Sequence, residues 1–216
     1  MDDVDAVQAQ IARNMLQSGD WVTARLNGIA YLEKSPLIYW MMAVSMRIFG
    51  PHDWAARIPL ALGVVLLVYC TMRFSAWAFG ESAGPNSGLV MATCIGLWLF
   101  TRIQIPDAIL TLTITIAMWT FLRALEEGGT LWPALFAAAI GVGLLLKGLI
   151  AAVFPVAGAL LYLAITRQLL RRETWRKLRP LSSAGIVLLI AAPWHVLATL
   201  RNPPYFDFTK IGRAHV

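Results

Sequence analysis

The chain has 216 residues, 58% of them hydrophobic and 14% charged, with a formal net charge of +6 and a mean hydropathy of +0.65. A soluble domain carries about 25% charged and about 45–50% apolar residues, so ordinary soluble and disordered classes are excluded. Cys70 and Cys94 are the only cysteines and both lie in apolar runs, which excludes a disulfide scaffold and reads them as small buried hydrophobes.

Residues 1–57 read as a loop with two helices lying on the outer membrane surface. In the first, Val4, Val7, Ile11 and Met15 recur at the spacing of one helix face, and Gly19 follows as a stop. An irregular stretch runs to Lys34. Ser35-Pro36 then reads as N-cap and first-turn proline of a second helix, closed by Gly50-Pro51. Pro36–Phe49 is short for a span, and its Tyr39 and Trp40 suit the lipid–water interface. The alternative is a short or tilted span. The start, Met1-Asp2-Asp3, is acidic where a signal peptide is basic, so a further transmembrane helix is expected upstream.

Residues 58–200 read as a bundle of six spans. These are Ile58–Phe79, Ser87–Thr101, Pro106–Leu122, two spans within Leu131–Thr166, and Leu181–Leu200. One helix over Leu131–Thr166 would be about 50 Å long, against a hydrocarbon core of about 30 Å. It must fold back, and Lys147-Gly148 is the natural hairpin, leaving Leu149–Ile165 as the fifth span. The fold class expected is therefore all-α, a polytopic membrane helical bundle with amphipathic juxtamembrane helices. Residues 201–209 read as the start of the next outer loop. Residues 210–216 read as a sequencing-adapter artefact, so His215 is assigned to no site.

The connection between the last two spans holds Arg167, Arg171, Arg172, Arg176, Lys177 and Arg179 against Glu173 alone. The positive-inside rule makes that loop cytoplasmic. Counting back through the spans puts Asp3, Asp5, Glu33, Lys34, Arg57, Arg102, Asp107 and Lys147 all on the outer side. Ionisable groups near membrane depth are costly and point to function. Carboxylates there suit a general base or a metal ligand, and arginine and lysine suit a phosphate. No Gly-rich phosphate loop, His-x-x-x-His pair or Gly-x-Ser-x-Gly occurs. An outer-face enzyme without a nucleotide site needs a donor already in the membrane. A transporter or lipid-flipping module is the competing reading, but it would place charges near the bilayer midplane on broken helices. Nucleic acid is not expected as a partner.

The run Ile11-Ala12-Arg13-Asn14-Met15-Leu16-Gln17-Ser18-Gly19-Asp20-Trp21-Val22-Thr23 resembles the first outer loop of the protein O-mannosyltransferase and aminoarabinose lipid A transferase superfamily. So do Leu26-Asn27-Gly28, Tyr31-Leu32-Glu33-Lys34-Ser35-Pro36-Leu37-Ile38-Tyr39-Trp40, Phe49-Gly50 and Ala56-Arg57-Ile58-Pro59. The likeness thins to Asp107, Leu146-Lys147-Gly148 and Pro193-Trp194, and extends to about Thr209. It implies the N-terminal part of an inverting glycosyltransferase of the GT-C type, in the inner membrane with its site on the outer face. Such an enzyme moves a hexosyl or pentosyl group from a polyprenyl-phosphate-linked sugar to a lipid A, glycan or protein acceptor. The fragment alone is expected to be inactive.

The resemblance also implies roles. The family's acidic pair aligns with Val4-Asp5, with Asp3 one place earlier, so the base is either Asp5 or Asp3. Glu33 would bind a divalent metal ion, zinc or magnesium. Lys34 would approach the donor phosphate, stabilising its growing charge as the glycosidic bond breaks. Asp107 matches a second functional carboxylate, or is simply a helix-start acid. Lys147 would hold phosphate, or snorkel at a hairpin tip. Arg57 would bind phosphate, or anchor the start of the first span.

Overall fold

The computed structural model describes residues 3–32 and 34–203. Ten helices account for most of them: α1 (Asp3–Ser18), α2 (Leu37–Phe49), α3 (Asp53–Phe79), α4 (Ala83–Thr93), α5 (Ile95–Arg102), α6 (Asp107–Glu127), α7 (Leu131–Lys147), α8 (Ile150–Ile165), α9 (Arg172–Leu178) and α10 (Pro180–Arg201). The fold is an all-α membrane bundle. Among the described residues its one departure is a two-residue antiparallel ladder, β1 (Arg25–Leu26) with β2 (Ile29–Ala30), inside the stretch read as irregular. Asn27 and Gly28 turn it, with φ of 51° and 79°, the double left-handed turn that Asn-Gly favours.

By length and composition, α3, α6 and the continuous stretch Arg172–Arg201 can cross a membrane. α4 and α5 make a fourth crossing if the bent pair is one span. The second predicted span is thus not straight: it breaks at Cys94, whose extended backbone separates two helices bent by 50°. α7 and α8 are apolar but shorter, and the chain reverses between them at Gly148, with φ of 70°, where the hairpin was expected.

Close approach is set by small residues, as membrane interfaces require. Gly84 and Gly88 of α4 face Ala76 and Met72 of α3, and a Cβ on Gly88 would lie 2.1 Å from Met72 Cγ. Gly141 of α7 sits against Ile190 of α10, and Gly143 against Ala151 of α8 and Thr113 of α6.

α2 does more than lie on a surface. It packs against α1, α3 and α7, burying Ile38, Tyr39, Met42, Ala43, Ser45 and Met46. Pro59 within α3 lacks the N–H that would bond the Ala55 carbonyl one turn back. The Ser45 hydroxyl of α2 donates to that carbonyl instead, at 2.5 Å. Ser35 is not the side-chain cap expected of it: α2 begins after Pro36 with no side-chain cap bond. α1 ends as expected, with the Gly19 N–H on the Met15 carbonyl and Gly19 at φ 70°.

The helix ends sort into two groups. At one end Arg57 at the start of α3 donates to the Arg102 carbonyl at the end of α5. There too Lys147 pairs with Asp107 and Arg201 with Asp20. At the other end Lys177 donates to the Leu125 carbonyl. Arg123 pairs with Glu127 and stacks 4.2 Å from the Trp132 ring.

Candidate active site

Two side-chain networks meet at the first of these ends, joined by residues 103–106 between α5 and α6. The first is built on Asp5 of α1, which is 1% exposed. Its Oδ2 accepts from Arg57 Nη2 and its Oδ1 accepts from the Gln104 N–H at 2.7 Å. Arg57 also reaches the Arg102 carbonyl at 3.3 Å. A buried carboxylate needs such partners, and both come from far along the chain. Local periodicity signals neither, and Gln104 is itself 3% exposed.

The second network lines a cavity of about 340 Å³, at the small end of ligand pockets. Asp107 opens α6 and Lys147 closes α7, so each charge sits at the helix end that favours it. The antiparallel packing of α6 on α7 brings them into an ion pair. Lys34 and Ser35 line the same cavity, with Ile105, Pro106 and Leu146 as its apolar wall. Among the described residues, Lys34, Lys147 and Asp107 thus face a single space.

Beside it runs an apolar groove of about 600 Å³ between α2, α3 and α6. Leu37 and Ile109 line the groove, while Ser35 and Asp107, two residues before each, line the cavity. Groove and cavity therefore adjoin across the first turns of α2 and α6.

Of the predicted site residues, Lys34, Asp107 and Lys147 come together at the cavity. Asp5 and Arg57 form the neighbouring network, linked to it through Gln104–Asp107. Asp3 is the first residue of α1, and Glu33 lies outside the described residues. Among the described residues no group of three or more His, Cys, Asp or Glu could hold a metal ion.

Residues 33–196 match the family described as dolichyl-phosphate-mannose-protein mannosyltransferase. This chain belongs to that family. It is 32% identical over 209 residues to an undecaprenyl phosphate-alpha-4-amino-4-deoxy-L-arabinose arabinosyl transferase of Aeromonas hydrophila, covering 93% of this chain and 37% of that one. The Pseudomonas aeruginosa protein of the same name is 29% identical over 213 residues, with the same coverage. Crystal structures of ArnT from Cupriavidus metallidurans superpose with TM-scores of 0.88 in the apo state and 0.89 bound to undecaprenyl phosphate. Each is 29% identical, over 96% of this chain and 39% of that one. The chain therefore spans less than two fifths of the relatives it matches.

Proposed function

We propose that this chain is part of a glycosyltransferase of the inner membrane, with its site on the outer face, that takes a sugar from a polyprenyl phosphate. The observation that carries the reading is the cavity in which Lys34 and Lys147 flank Asp107, beside an apolar groove. A polyprenyl-phosphate sugar has matching parts. Its phosphate meets the lysines, and its isoprenoid tail lies along the groove. The likeness to a structure bound to undecaprenyl phosphate supports the same assignment. The charges gather at helix ends rather than at mid-span, which disfavours a transporter.

In the inverting reaction an acceptor oxygen attacks the anomeric carbon as the bond to the phosphate oxygen breaks, and the phosphate leaves with one more negative charge. Lys34 and Lys147 stabilise that charge where it grows. Lys147 pairs with Asp107, so an arriving phosphate competes for its ammonium and frees the Asp107 carboxylate. That carboxylate orients an acceptor hydroxyl and takes its proton; a phosphate acceptor, largely ionised at neutral pH, needs only the orientation. Both oxygens of Asp5 are engaged, so of Asp5 and Asp107 the first holds the structure and the second does the proton work. The acceptor is a lipid A, glycan or protein group.

The test uses the intact protein that contains this chain, purified and given a radiolabelled undecaprenyl-phosphate sugar with an acceptor extract. Transfer by the wild type that falls at least tenfold in Lys34→Met supports the reading. Transfer unaffected by Lys34→Met overturns it.

A further inference from the structure

Two motifs have no part in the chemistry above: Gly19-Asp20-Trp21-Val22-Thr23 after α1, and Pro193-Trp194 within α10. They meet. The Trp194 indole N–H donates to the Val22 carbonyl at 3.0 Å, and Asn202 Nδ2 donates to Thr23 Oγ1 at 3.0 Å. From α2, the Trp40 indole N–H donates to the neighbouring Trp21 carbonyl at 2.7 Å. Asp20 Oδ1 accepts from the N–H groups of Val22 and Thr23, both at 3.0 Å, and pairs with Arg201 at 3.4 Å. Residues 20–23 are thus fastened from two helices that are far apart in sequence.

The Trp194 ring is 4% exposed and packs in one cluster with Leu32 and Leu145. Leu32 is two residues before Lys34, and Leu145 is two residues before Lys147. Trp194 therefore shares one apolar cluster with the residues two places before each cavity lysine, while its N–H pins the loop that leads to the first. We propose that Trp194 is a positioning residue that sets the spacing of Lys34 and Lys147 for a phosphate. The inference rests on the reading that these lysines hold the donor phosphate. A bridging phosphate needs both ammonium groups within hydrogen-bond reach at once. A loop free to shift by an ångström loses that geometry while the fold survives.

The experiment measures inhibition of transfer by undecaprenyl phosphate in the intact protein, comparing wild type, Trp194→Phe, Asn202→Ala and Lys34→Met. Trp194→Phe keeps an aromatic ring but removes the indole donor with the pyrrole ring that carries it, orphaning the Val22 carbonyl. The expected result is a Ki for undecaprenyl phosphate, and a donor KM, raised about five- to tenfold, with kcat lowered as well and acceptor KM near wild type. Asn202→Ala, at the rim of the clasp, should shift Ki in the same direction by less. It carries the test if Trp194→Phe does not fold. A tryptophan that merely stabilises the protein would lower the yield of active enzyme and leave Ki and both KM values unchanged. Normal Ki in both clasp variants, with Ki raised in Lys34→Met, overturns the positioning role alone. Normal Ki in Lys34→Met overturns the phosphate reading and the positioning role with it.

Discussion

Replacing Asp5 by alanine should destabilise the protein measurably, and the structure sets the size of the effect. Asp5 Oδ1 is the acceptor for the Gln104 N–H in a buried bond. Stranding that donor costs about 1–3 kcal/mol. Losing the ion pair with Arg57 would cost more at a fully buried site. The Arg57 side chain, however, is 39% exposed, so water can rehydrate it, and roughly 1 kcal/mol is the fitting discount. Removing the carboxylate also relieves its own desolvation, which pulls the total down. The first two contributions come to about 2–4 kcal/mol, and the relief brings Asp5→Ala to about 1–3 kcal/mol. Asp5→Asn keeps an acceptor for Gln104 and should lose about 1 kcal/mol. Denaturant titration of the intact protein in detergent, followed by tryptophan fluorescence, measures both. The same preparations assayed for transfer should show Asp5→Asn active, because its oxygens serve the 103–106 loop rather than the acceptor. Asp5→Ala within about 0.5 kcal/mol of wild type would refute the network. A folded Asp5→Asn without transfer would refute its structural role.

Other expectations follow from particular contacts. Ser45→Ala removes the donor that replaces the missing N–H of Pro59, and the orphaned Ala55 carbonyl should cost about 1–2 kcal/mol in the same titration. Gly143→Ala would put a Cβ 2.9 Å from Ala151 Cβ and 3.3 Å from Thr113 Oγ1. Neither neighbour has a flexible tip to move aside, so a loss of about 1–3 kcal/mol is expected. Burial pushes the Asp20 carboxyl up, but the N–H groups of Thr23 and Val22, with the charges of Arg201 and Arg25, outweigh it and hold its pKa below the usual value. A lowered folded-state pKa means stabilisation that is complete above the unfolded value of about 3.9 and is lost as pH falls through the folded one. Hydrogen exchange over residues 20–34 should therefore speed up below about pH 4. Asp20→Asn should abolish that acid dependence.

Helix starts and stops were legible because their causes are local. Gly19, Gly50 and Gly148 each sit at positive φ where a helix ends, and Lys147-Gly148 breaks a run too long to cross once. The Asn27-Gly28 turn carried an equally local signal for its small ladder. The break at Cys94 did not: no proline or glycine stands at that position, and the bend of 50° has no sequence mark. The buried face of α1 was legible only in part. Ile11 and Met15 follow the apolar period, but Asp5 and Gln8 are buried with them, at 1% and 3% exposure. Asp5 is buried because of Arg57, 52 residues on, and Gln104, 99 residues on. The contacts of α2 were not legible for the same reason, since the partners of its apolar face lie on α1, α3 and α7. The pairing of Asp107 with Lys147 was half visible. Both were expected on one side of the membrane, yet their ion pair depends on how α6 packs against α7.

On the proposed function, Lys34 and Lys147 together grip the phosphate of a polyprenyl-phosphate donor. The most direct measurement is the binding of undecaprenyl phosphate to the intact protein in lipid nanodiscs, comparing wild type, Lys34→Met, Lys147→Met and the double variant. Each charged hydrogen bond removed from a phosphate should weaken binding by roughly 10- to 100-fold, and the double variant should be weaker than either single one. Binding that is the same in all four proteins would contradict the account.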